Sequence, residues 1–133
     1  MLTVGHKFPE TRFGPVSSRH VTAYASASGD DNPIHSDMDM ARSLGFAAPL
    51  IHGLFVMGFI ESACQAWQLC GEVAEIESRF VSPVTHGAEL RFRGRVAAIE
   101  PDRIRIRITV YDDRDVLCLV GSIALRADSA AVT

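Results

Sequence analysis

Four stretches in the second half of the chain alternate apolar and polar residues with a period of two. They cover 73–82 (VAEIESRFVS), 89–99 (ELRFRGRVAAI), 103–112 (RIRIRITVYD) and 116–125 (VLCLVGSIAL). That period belongs to strands with one buried face. The third is the plainest, with Ile104, Ile106, Ile108 and Val110 on one side and Arg103, Arg105, Arg107 and Thr109 on the other. The short connections "EPD" and "DRD" predict antiparallel hairpins. Earlier in the chain the period is helical. Val21, Tyr24, Ala25 and Ser28 predict a helix over 18–28, with Ser17 or Ser18 as cap and Gly29 as stop. A second short helix is expected over 37–44, capped by Ser36 or Asp37 and ended by Gly45. The longest apolar run, 52–71, predicts a helix over 53–70 that is apolar nearly all round. Glu61, Gln65 and Gln68 form its one polar stripe. With that stripe and no basic flank, it reads as the buried axis of a domain and not as a membrane span. One-faced strands need a cover and an apolar helix needs a wrapper. The expected class is α+β, an antiparallel sheet curled around the long helix.

Composition changes this picture little. At 133 residues the chain fits a single domain, 1–133, with 127–133 (ADSAAVT) a frayed end. A net charge of −3 gives no reason to expect nucleic acid or an anionic membrane as partner. Cys64, Cys70 and Cys118 are odd in number and form no CxxC pair, so they read as reduced core residues of a cytoplasmic protein. The opening MLTVGHKFPE has no apolar signal core, which points away from secretion.

The candidate chemistry lies in SGDDNPIH, residues 28–35, where Asp30, Asp31 and His35 crowd around an Asn-Pro turn. Turn formers alone explain much of such a loop. A calcium loop counted from Asp30 fails, because its sixth and twelfth positions hold His35 and Ala41. A transition-metal set of His35, Asp37 and Asp39 is weak, and the five histidines are spread singly without ligand spacing. The third reading is acid–base catalysis, in which a carboxylate and an imidazole share a water. Pro33 fixes its own φ and restricts Asn32, which sets the separation of the pair. PLIHGLF, residues 49–55, supplies a complement. Its Gly53 opens the long helix, where N–H groups lack internal partners and the dipole favours negative charge. A glycine there lets a carbonyl approach closely, although it also suits tight helix entry.

Together, YASASGDDNPIH and ARSLGFAAPLIHGLF strongly resemble the signature of the MaoC-like dehydratases and R-specific enoyl-CoA hydratases. The 3-hydroxyacyl-thioester dehydratases of fatty-acid synthesis share it. The pattern runs aromatic, small residue, G-D-x-N-P-apolar-H, a short helix, then P-apolar-apolar-H-G, and every position is filled here. The resemblance implies a hot-dog fold that pairs as a homodimer, a heterodimer or a larger even-numbered assembly. It implies a reversible hydro-lyase acting between trans-2-enoyl and (3R)-3-hydroxyacyl thioesters. Asp30 and His35 would handle water and the proton at Cα, and the Gly53 N–H would bind the thioester oxygen. Asn32 and His52 would orient the loop or bind substrate, His52 being more economically structural. No metal and no redox cofactor is implied, since coenzyme A or acyl carrier protein enters only as the substrate's carrier.

Two alternatives stay open. Some family members carry a helix serine near the position of Glu61, so Glu61 or Ser62 could assist the pair. Glu61 could instead serve a hot-dog thioesterase. A non-catalytic subunit that only binds acyl thioesters is the other alternative. Arg91, Arg93, Arg95, Arg103, Arg105 and Arg107 should share an outward face, paired with Glu75, Glu77 and Glu89 or free to bind phosphates. Phe55, Phe59 and Trp67 read as core packing.

Overall fold

The computed structural model describes residues 1–126, and the end expected to fray, 127–133, lies outside the described residues. The alternating stretches form β2 (Glu72–Phe80), β3 (Leu90–Ile99), β4 (Arg103–Tyr111) and β5 (Leu117–Arg126), joined by a three-residue β1 (Thr11–Phe13). All pairings are antiparallel, in the order β1-β3-β4-β5-β2. Register follows the apolar face: Val96, Ile106, Ile123 and Ile76 lie side by side across four strands. Tight connections make β3–β4 and β4–β5 hairpins, as expected. β2 passes over its chain neighbour and pairs with β5. That contact depends on Gly121, where a Cβ would sit 2.3 Å from the Glu77 carbonyl. β1 escaped the pattern because three residues carry no measurable period.

Three helices accompany the sheet. α1 (Ser18–Ser28) starts with a reciprocal cap between Ser17 and His20 and stops at Gly29, whose φ is 77°. In α2 (Met38–Ser43) the Asp37 carboxylate accepts the N–H groups of Asp39 and Met40. α3 (Gly53–Ala66) is four residues shorter than the helix expected over 53–70. Trp67 is its C-cap, with its indole N–H donating to the Pro9 carbonyl at 2.6 Å, and Gln68 turns left-handed at φ 60°. Gln68 therefore leaves the expected stripe, which reduces to Glu61 and Gln65.

The helix is also not the fully wrapped axis that its composition suggested. Val56, Ile60, Ala63 and Cys64 are buried on the concave face of the sheet, while Leu54 is 63% exposed on the other side. Phe55 and Phe59 pack in an aromatic run with Tyr24, Phe13 and Phe92. The arginines point outward from the convex face, away from α3. Arg91 and Arg93 meet Glu10, Arg103 meets Glu100 and Asp102, and Arg105 meets Glu75 and Glu100. Most of that basic face is thus engaged with carboxylates. Cys64 and Cys118 are buried, but Cys70 is exposed, because the helix has ended before it.

Candidate active site

The octet crosses from α1 to α2 in front of the N-terminus of α3. Asn32 organises it. Its Oδ1 accepts the Ile34 N–H at 3.1 Å and so caps a single 3-10 turn, Pro33–His35. Asp30 Oδ1 accepts the Asn32 N–H at 3.4 Å, and Ser28 Oγ accepts the Asp30 N–H at 3.2 Å. His35 is held by one residue from both sides. Its Nδ1 donates to the Leu50 carbonyl at 2.9 Å, while the Leu50 N–H donates to the carbonyl of Ile34 at 2.9 Å. With the Nδ1 proton committed, the Nε2 lone pair is free. It faces Asp30 Oδ2 at 3.7 Å, close enough for one water beside them to hydrogen-bond to both.

His52 is brought to the same place. Its Nε2 donates to the Asp30 carbonyl at 3.0 Å, and its ring lies 3.7 Å from that of His35 at an angle of 19°. Tyr24 flanks it at 4.8 Å. Behind the turn, Ile51 N–H donates to Val84 and His86 N–H to Pro49, which ties the 49–51 segment to the loop before β3. The His86 ring lies by the His35 carbonyl. Burial pushes its pKa below the usual imidazole range, against the opposing pull of that carbonyl. Nothing in the sequence singled out His86, since a lone histidine in an irregular segment has no pattern to belong to.

Gly53 begins α3 without a side-chain cap, and among the described residues no acceptor meets its N–H. It opens onto a cavity of about 360 Å³ whose walls include His35, Val56, Phe80, Val84 and Leu119. The Phe80 ring lies so close that a Cβ on residue 53 would stand 3.0 Å from two of its carbons. Cys118 also borders the cavity, and burial raises its thiol to about 11, with the Asp112 charge adding to the effect. On the far side of His35 a second depression of about 450 Å³ runs between Val21, Ala25, Asn32 and Ser36. His35 thus stands in the wall between two spaces.

Asp30, His35, His52 and Gly53 converge, and Glu61 and Ser62 do not. Glu61 is exposed and stands about 12 Å further along α3 by helical rise. Asp31 points to solvent beside the second depression. The Asp37 carboxylate is occupied as a helix cap. Asp30, His35 and His52 place possible metal donors within 4.8 Å of one another. Their geometry does not suit a shared ion, because a metal binds in the plane of an imidazole and two stacked rings have no common plane.

A model of the MaoC like domain matches residues 3–116. The chain is 38% identical over 91 residues to the mitochondrial 3-hydroxyacyl-[acyl-carrier-protein] dehydratase of Arabidopsis thaliana, covering 68% of this chain and 53% of that protein. To the 3-hydroxybutyryl-CoA dehydratase of Methylorubrum extorquens it is 34% identical over 96 residues, covering 70% and 60%. The chain therefore spans little more than half the length of these relatives. The unliganded R-hydratase PhaJ1 from Pseudomonas aeruginosa superposes with a TM-score of 0.81 at 28% identity, over 95% of this chain and 82% of that one. Helix, sheet order and superposition together identify the fold as α+β hot-dog.

Proposed function

The chain belongs to the MaoC-like dehydratase family, and we propose that it reversibly adds water to trans-2-enoyl thioesters, giving (3R)-3-hydroxyacyl thioesters. One observation carries this reading: the free Nε2 of His35 faces the Asp30 carboxylate at 3.7 Å, close enough for one water beside them to hydrogen-bond to both, next to the uncapped start of α3. A water hydrogen-bonded to both from beside the pair loses a proton to it as its oxygen bonds to Cβ. Negative charge then moves to the thioester oxygen, where the Gly53 N–H and the helix dipole stabilise the enolate. The pair returns one proton to Cα as the enolate collapses, and ends as it began. Dehydration runs the same steps backwards. The acyl chain occupies the cavity of Phe80, Val84 and Leu119. Coenzyme A or acyl carrier protein is present only as the substrate's carrier, and no further cofactor enters the scheme.

Two copies, identical or related, complete the assembly in this reading. Among the described residues β2 is paired on one side only, and Leu54, Phe80 and Val81 are exposed beside it. No helix of the described residues is long and apolar enough to cross a membrane. A cytoplasmic setting is part of the proposal.

The test follows crotonyl-CoA with a thiol reagent present. The reading requires the enoyl absorbance to fall without stoichiometric thiol release, and Glu61→Gln to retain most of the activity. Thiol appearing as fast as substrate is lost, and abolished by Glu61→Gln, would establish a thioesterase instead. A folded protein that binds crotonyl-CoA and changes neither signal would be a binding subunit.

A further inference from the structure

We propose that His52 is a positioning residue for the acid–base pair, holding the Asp30 backbone by its Nε2–H and the His35 ring by stacking. The proposal rests on the hydratase reading above. Asp30 is otherwise fastened only to its own surroundings: its N–H goes to Ser28 and its Oδ1 takes the Asn32 N–H. Its side chain is more than half exposed, and among the described residues the Asn32 N–H is the one hydrogen-bond donor that the carboxylate meets. Among the described residues the single hydrogen bond to Asp30 from outside the octet comes from His52, 22 residues later, at 3.0 Å.

A plain packing residue does not account for this histidine. His52 is 2% exposed, and its Nδ1 is buried with no partner among the described residues. An unpaired buried polar atom costs stability, which an apolar ring of the same shape would avoid. What the imidazole adds to a phenyl ring here is the Nε2–H. Its ring sits between Tyr24 at 4.8 Å and His35 at 3.7 Å, so the stack fixes the plane of the imidazole whose lone pair must meet the water. His52 is also the residue before Gly53. One dipeptide thereby sets the pair and the oxyanion donor at a fixed offset, which a reaction spanning Cβ, Cα and the thioester oxygen requires.

Three substitutions separate the two contributions. His52→Phe keeps the stack and removes the donor. His52→Gln returns an N–H near the Nε2 position, and His52→Asn is one methylene too short to do so. With crotonyl-CoA we expect His52→Phe to lower kcat by about 10- to 100-fold with KM changed less than about twofold, in line with the loss of a positioned acid–base pair. His52→Gln should recover part of kcat through the donor, the rest being lost with the stack, while His52→Asn should recover neither. In an Asp30→Asn background His52→Phe should add little, because it acts through Asp30. If His52→Phe does not fold, the Gln and Asn variants make the same comparison. Wild-type kcat in folded His52→Phe, or equal impairment of the Gln and Asn variants, overturns the proposal and leaves the hydratase reading standing. Full activity in Asp30→Asn removes both.

Discussion

Leu50 decides which nitrogen of His35 meets Asp30: its carbonyl takes the Nδ1 proton at 2.9 Å and leaves Nε2 facing the carboxylate at 3.7 Å. Tautomer and orientation are thus set by a backbone carbonyl that takes no part in the bond changes of the proposed mechanism. The same residue's N–H closes onto Ile34, so the turn and the ring are fixed together.

The pair should behave as a unit. Asp30→Asn retains the shape and the turn but loses the charge, and His35→Ala loses the base. Each should lower kcat for crotonyl-CoA hydration by about 10²–10⁴ without unfolding the protein. Asp31→Asn, one residue away and turned to solvent, should stay near the wild-type rate. Steady-state kinetics with circular dichroism as the folding control reads all three.

Gly53→Ala keeps the backbone N–H but fills the approach to it. The new Cβ would stand 3.0 Å from the Phe80 ring, which is half exposed and can turn aside, so the fold should persist. A fall in kcat/KM of about 10² is expected, the scale of an oxyanion donor put out of reach. Adding Phe80→Ala should relieve the crowding without restoring the rate. A double variant as fast as wild type would mean that Phe80, and not access to the N–H, was limiting.

Asn32 acts through the Ile34 N–H. Removing this cap in Asn32→Ala should cost about 1 kcal/mol in urea denaturation. Asn32→Asp, an equally good acceptor, should return most of the stability. If both variants denature at the wild-type midpoint, the cap contributes nothing to the fold.

His86 carries a pH dependence of known sign. Its folded pKa lies below its unfolded value because burial disfavours the charged form. Between the two values the unfolded chain binds more protons, so this contribution is intact at neutral pH and is lost as pH falls below about 6.5 toward the folded value. Melting curves at pH 7.5 and 5.5 should therefore show a smaller drop for His86→Gln than for wild type. An equal drop would show that other groups carry the acid sensitivity.

The thiols should fall into two classes. Cys64 and Cys118 are buried and raised to about 11, chiefly by burial, with the charges of Glu61 and Asp112 adding to it. Cys70 is exposed. At pH 8 a disulfide reagent should modify one thiol quickly and the other two only after unfolding. Cys118 borders the proposed enoyl site, so remaining a thiol also keeps it from adding to the substrate.

What the sequence determined by itself is what neighbours along the chain decide. Alternation in 103–112 selected a strand with Ile104 and Ile106 inward, because side chains of a strand alternate whatever the sheet around it. Ser17, Asp37 and Gly29 marked helix ends, since capping is settled within three or four residues. The dense motif around Asp30 and His35 pointed to a site, because one turn brings the two together.

Other features depended on surfaces meeting across the fold. β2 chose β5 over its chain neighbour, and glycines at 71 and 121 leave room for it. α3 ended at Ala66 although apolar residues continue, because Trp67 found a carbonyl at Pro9 and the chain turned at Gln68. His52 and His86 reached the neighbourhood of His35 across 17 and 51 residues, by stacking and close approach that no local period encodes. Local order follows from backbone geometry and short-range hydrogen bonds, whereas these pairings follow from which distant faces fit once the core has closed.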